Sequence, residues 1–104
     1  MPKHSPNRVT ETEVAEAALA VLADRPNGEA SIEILVRDIP KHLNLSADDC
    51  APSTTRPGEQ MWEQQVRNIT SHHEAPGNFI REGYLQRIKG GLKITDAGRA
   101  RLAR

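Results

Sequence analysis

Gln64, Arg67, Asn68 and Ser71 recur at steps of three, one and three, which places their side chains along one face of a helix. Their chemistry is that of base-edge readers. Arginine pairs bidentately with guanine, glutamine and asparagine pair with adenine, and serine adapts to either. Trp62, Val66 and Ile69 occupy the opposite face of the same segment, so the polar set has an apolar backing. Glu63 lies on the flank of the polar face rather than on its central line. His72 closes the segment, where the helix dipole favours a cation able to donate to phosphate. Further along, Arg87, Lys89 and Lys93 fall within seven positions and suit backbone phosphates. A basic hairpin also serves to discourage edge-to-edge strand pairing. A solvated helix face carries the same residue types without any ligand.

Other chemistries find less support. The pair His72-His73 has only Cys50, His4, His42 and scattered acids for company, in no zinc-like spacing, so neither metal nor cofactor is expected. His73 is expected to pack partly beneath a following hairpin. Cys50 and the serines have no partner constellation for nucleophilic catalysis, and Gly90-Gly91 lacks the continuation of a phosphate-cradling loop. No enzymatic activity is expected. The three aromatics, Trp62, Phe79 and Tyr84, are too few for a single-strand stacking platform.

The elements that must position these residues can be read along 104 residues, the length of one domain. Hydrophobic residues make up 37%, twelve of them alanine, which suffices for one small core. A single cysteine excludes a disulfide framework and fits a reducing, cytoplasmic setting. No apolar run approaches the roughly 20 residues of a membrane span, and residues 1–6 lack the apolar stretch of a secretory signal. Net charge is zero, but it is unevenly spread. Residues 1–51 hold five bases against nine acids, whereas residues 52–104 hold nine bases against five acids. That split suits a polyanion-binding half, and it also suits ordinary mixed-charge helix surfaces.

Residues 1–9 are polar and proline-bearing and are expected to form a loose arm, with one domain over 10–104. Thr10-Glu11-Thr12-Glu13 is a capping box opening a helix over 11–23, ended by Asp24-Arg25-Pro26-Asn27-Gly28. Ala30-Ser31 suits a very short strand. A second helix follows with Ile32, Leu35, Val36 and Ile39 on one face, and Pro40 must kink or restart it with Asp38 as a new cap. Leu43 and Leu45 complete the buried edge, and Ser46-Ala47-Asp48-Asp49 reads as a cap or one-turn helix. After a loop at 50–58, the third helix is expected over 59–72. Pro76-Gly77 suits the centre of a type II turn. A hairpin is expected over 84–94 around Gly90-Gly91, and Thr95 caps a last helix over 96–103.

This order predicts a mainly α domain with a small β-hairpin: a winged helix-turn-helix with a three-helix core, a two-stranded wing and a C-terminal helix. Three stretches also resemble a known family. They are Met61-Trp62-Glu63-Gln64-Gln65-Val66-Arg67-Asn68-Ile69-Thr70-Ser71-His72, Gly77-Asn78-Phe79-Ile80-Arg81-Glu82-Gly83-Tyr84-Leu85 and Gly91-Leu92-Lys93-Ile94-Thr95-Asp96-Ala97-Gly98-Arg99. Together they resemble the winged helix modules of bacterial restriction endonucleases, in particular the Mrr-type N-terminal domain, over about residues 10–103. The resemblance implies recognition of double-stranded DNA, methylated in some relatives. By position it implies Arg67, Asn68, Ser71 and His72 in the groove and Asn78 near the helix end. No nuclease domain accompanies these residues, which leaves a separated reader or a free-standing protein; a nuclease domain or another protein is the expected partner besides duplex DNA. Transcriptional regulation is the nearest alternative. A winged helix adaptor that binds protein and not DNA is the alternative from another class.

Overall fold

The structure is a computed structural model that describes residues 8–104. It is a mixed domain of five α-helices and one small antiparallel sheet: α1 (Glu11–Ala23), β1 (Glu29–Ser31), α2 (Ile32–Asp38), α3 (Ala47–Cys50), α4 (Glu63–Ser71), β2 (Leu85–Ile88), β3 (Gly91–Ile94) and α5 (Asp96–Leu102). Short 3₁₀ turns at Pro26–Gly28 and Ile39–His42 join the early elements.

α1 begins where its capping box places it. The Thr10 hydroxyl accepts from the Glu13 N–H at 3.1 Å, and Glu13 Oε1 accepts from the Thr10 N–H at 2.9 Å. Alanines at 15, 17 and 18 are buried along with Val14, Leu19, Val21 and Leu22. Such small side chains let neighbours approach closely, and α1 packs against α2, α4, α5 and β3. It is the axle of the core.

Pro40 ends α2 at Asp38, as its missing donor requires, and the chain continues as a 3₁₀ turn. Asp38 holds the cap position expected of it, but its side chain bonds no N–H of that turn. Its carboxylate instead pairs with Arg37 at 2.8 Å and Lys41 at 3.3 Å, because those cations flank it and outcompete a neutral N–H. Ser46 and Asp49 form a second capping box on the one-turn α3.

The expected loose arm over 1–9 divides at its end. Residues 1–7 lie outside the described residues. Val9, however, is buried, with its N–H donating to Asp49 Oδ1 at 3.0 Å and its carbonyl accepting from Gln65 Nε2 at 3.3 Å. Val9 is therefore packed into the domain ahead of the helix cap.

The hairpin has a two-residue loop, Lys89-Gly90, with Ile88 paired to Gly91 and Leu85 to Ile94. It is not an isolated two-stranded wing. β1 pairs with the far side of β3, Ala30 opposite Leu92, giving the strand order β1-β3-β2. Gly91 permits this, since a Cβ there would lie 2.1 Å from the Ala30 carbonyl oxygen. Thr95 caps α5 by accepting from the Gly98 N–H at 3.0 Å.

Trp62, Val66 and Ile69 are buried in the core with Leu19, Leu22, Leu35 and Leu92. Trp62 is 3% exposed and its Nε1 donates to Gln60 Oε1 at 2.9 Å. Trp62→Ala is expected to cost about 3–5 kcal/mol of stability. In urea titrations the midpoint should fall with little change in slope.

Candidate nucleic-acid interface

The polar face read at 64–71 sits on α4, but that helix begins at Glu63, a turn later than the expected 59. The preceding segment is held as a loop by tertiary hydrogen bonds. Pro52 and Gln60 form an antiparallel bridge, and Gly58 adopts φ 86°. The Glu59 carbonyl accepts from the Ser53 N–H at 2.8 Å. The Met61 and Trp62 N–H groups donate to Ala51 and Asp49 carbonyls at 2.9 and 3.0 Å. Glu63 N–H then bonds the Gln60 carbonyl at 3.1 Å, a three-residue step with Glu59 left out of the helix. The other end also stops early, with His72 as the cap residue.

This loop and the outer face of α4 enclose a polar groove of about 130 Å³. Its lining is Ser53, Thr55, Arg56, Glu59, Gln64, Arg67, Asn68 and Ser71. Gln64 and Ser71 are exposed, and neither side chain has a hydrogen-bond partner among the described residues. Asn68 is half-buried and donates once, to Gln65 Oε1 at 3.1 Å, which leaves its Oδ1 and a second N–H. The Ser53 hydroxyl accepts from the Thr55 and Arg56 N–H groups at 3.2 and 3.1 Å and shapes the facing wall.

Arg67 is not solitary. Its Nε donates to Glu59 Oε1 at 3.2 Å and its Nη2 to Glu59 Oε2, a two-point ion pair. The bond from Arg67 chiefly holds the Glu59 carboxyl below its ordinary range, against desolvation, with the charges of Arg67 and Arg56 helping. In return the Arg67 guanidinium is raised. With Arg56 beside them, the groove holds two guanidinium groups for one carboxylate.

Asn78 is the clear correction. It was expected near the helix end as a DNA contact, and it does sit at that end, but it is 3% exposed and its polar capacity is fully spent inside the fold. Its amide donates to the Ile69 carbonyl at 3.0 Å and Glu11 Oε2 at 3.1 Å, while its Oδ1 accepts from the Ile80 and Arg81 N–H groups at 2.8 and 3.3 Å. It closes the end of α4 and the following turn. His72 has an exposed side chain, but its Nδ1 lies 2.9 Å from Glu11 Oε1, which ties the end of α4 to the first turn of α1. His73 is half-buried, with Nδ1 unpartnered among the described residues. No group of three or more His, Cys, Asp or Glu side chains among the described residues could hold a metal ion.

The basic hairpin residues do not form one patch. Lys89 is exposed at the loop. Arg87 pairs with Leu92 and shares its sheet face, whereas Lys93 lies on the other face between Glu29 and Gln86. The pleat separates them. No helix among the described residues is long and apolar enough to cross a membrane.

The groove residues missed in the sequence are Ser53, Thr55, Arg56 and Glu59. An arginine within Ser53-Thr54-Thr55-Arg56-Pro57 just ahead of a polar helix face is the signal that could have found them. Comparison with family models, curated proteins and solved structures found no match.

Two outcomes follow. Asn78→Ala orphans the buried Ile69 carbonyl and should cost about 1–3 kcal/mol, while the folded variant keeps whatever duplex affinity the native chain has. A carboxyl with a depressed folded pKa stabilises fully above its unfolded value and loses that contribution as pH falls through the folded one. The native chain should therefore lose more stability than Glu59→Gln as pH drops below about 4.5, the ordinary value for this carboxyl. Urea titrations of both chains across that range measure the difference.

Proposed function

We propose that this domain is a non-catalytic binding module for double-stranded DNA, arranged as a variant of the winged helix, with α4 read into the major groove. The observation that carries this reading is the groove along α4. It presents Gln64, Asn68 and Ser71 with unspent hydrogen-bonding capacity, backed by Trp62, Val66 and Ile69 in the core. Asn68 retains one donor and one acceptor, the pair that adenine N7 and N6 require. Arg56 on the facing loop is exposed and suits a phosphate beside the groove. Asn78 has no part in this reading, and His72 enters it only as the residue that fixes the end of α4.

The sheet supports a secondary contact. Lys89 at the loop tip and Lys93 on the outer face suit backbone phosphates, and Arg87 belongs to the opposite face. The order of four helices, one of them a single turn, and then a hairpin packed back on them is compatible with a wing that follows a reading helix.

The deciding measurement is binding to random-sequence duplexes, with and without methylated bases, across a salt series. Phosphate contacts make log affinity fall with log salt, whereas an apolar protein-binding interface gives a nearly flat line. Replacing Lys89 and Lys93 together by glutamine should weaken all duplexes alike. It should make the salt slope shallower by about one to two units, since each phosphate contact contributes roughly 0.9. A chain that binds no duplex at low salt would overturn the reading, and an unchanged slope would remove the hairpin from it.

A further inference from the structure

The duplex reading leaves one carboxylate unexplained. Glu59 stands in a groove proposed to face a polyanion, although an acid there repels phosphate. The geometry of its ion pair supplies a reason. Glu59 takes the Nε and Nη2 side of the Arg67 guanidinium, a side-on pairing that uses two of its five N–H groups. The end-on pair, one hydrogen from each terminal nitrogen, has no partner among the described residues. That is the fork that meets guanine O6 and N7. The Arg67 side chain is 40% exposed and the Glu59 side chain only 18%, so the carboxylate is the inner member of the pair.

We infer that Glu59 is a positioning residue for guanine recognition: its side-on grip fixes the Arg67 guanidinium with the end-on fork free for one guanine in the major groove. This inference rests on the duplex reading and goes further, because it names the base and the residue that sets the discrimination. A free arginine must give up several rotamers when it binds, whereas one already clamped has given them up on folding. The clamp also has an electrostatic consequence. Glu59 offsets one guanidinium, so attraction to arbitrary phosphates is weakened while hydrogen bonding to the base is kept. Glu59 therefore acts against non-specific binding and for specific binding.

The test uses the full chain and a pool of duplexes with a randomised core, with the bound fraction sequenced for the native protein, Glu59→Gln, Glu59→Asp and Arg67→Ala. The native selection should contain one fixed guanine position, absent from the Arg67→Ala selection. Glu59→Gln should weaken that position alone and leave the others intact. Its affinity for the selected duplex should fall about tenfold, the scale of one good bidentate base contact, while its affinity for a scrambled duplex holds or rises. Glu59→Asp keeps the charge but shortens the reach, so it should weaken the same position; it also serves if the glutamine variant does not fold. Thermal unfolding of each variant separates lost recognition from lost fold.

A guanine position as strong in both folded Glu59 variants as in the native chain overturns the positioning role and leaves the duplex reading standing. Affinities for selected and scrambled duplexes that rise together overturn it as well, since Glu59 would then be a competitor for Arg67. A native selection with no guanine lost on Arg67→Ala removes the base assignment. Failure of the native chain to retain any duplex at low salt overturns the duplex reading itself, and this inference with it.

Discussion

A helix of nine residues does not hold itself in water, so the orientation of α4 depends on how its two ends are closed. At its start, the end of α3 and the loop over 51–62 supply the closure: the Trp62 N–H donates to the Asp49 carbonyl, and the Glu63 carboxylate accepts from the Gln60 N–H at 2.9 Å. At its end, the buried Asn78 amide donates to the Ile69 carbonyl and reaches across to Glu11 in the first turn of α1. His72 adds a second tie to the same glutamate. Both ends of α4 are thus referred to other elements, with the Trp62, Val66 and Ile69 face packed between them. The outward residues inherit their geometry from these closures.

Asp49 extends the same logic to Val9, ahead of α1. This buried carboxylate caps α3 through Ser46, and its other oxygen accepts from the Val9 N–H. Val9 in turn receives Gln65, and Gln65 receives Asn68. A polar chain therefore runs from beneath the fold to the groove. On the far side of α1, the Arg101 guanidinium pairs with Glu16 and lies 4.8 and 4.9 Å from the Phe79 and Tyr84 ring centroids. It fastens α5 to α1 and to the turn that Asn78 begins.

Much of this was legible in the sequence, for local reasons. The Thr10–Glu13 box, the stop at Pro40, the Pro76-Gly77 turn and the pairing around Gly90 rest on neighbours within a few residues, and each stands in the structure. The start of α4 did not. Glu59, Gln60 and Met61 are good helix formers, and the bonds to residues 49–53 that override them are tertiary. That error hid the Glu59–Arg67 pair as well. In one continuous helix, residues eight apart stand about 12 Å apart along the axis, beyond ion-pair reach. Only a break between them brings the two side chains together. Asn78 does lie near the end of α4, where the family resemblance put it, but its amide is buried and spent within the fold. Its local signature, bonds to N–H groups two and three residues on, is a turn pattern that sequence spacing allows. Its reach to Ile69 and Glu11 is not.

The charge split between the halves of the chain takes a different meaning once partners are known. Acids of α1 are the partners of cations from the second half, Glu16 with Arg101 and Glu11 with His72 when protonated. Part of the apparent basic excess is therefore internal glue between α1 and the elements packed on it. Arg56, Arg87, Lys89, Lys93 and Arg99 form no ion pair among the described residues, and they are spread over the groove, both sheet faces and α5. Spread cations produce a weak general field rather than a focused one. For the proposed function, that shifts the burden of recognition from net charge to a few placed hydrogen-bonding groups. On that reading, most of the discrimination comes from Gln64, Arg67 and Asn68 where they meet base edges that match them, and the spread cations add a weaker attraction common to every duplex.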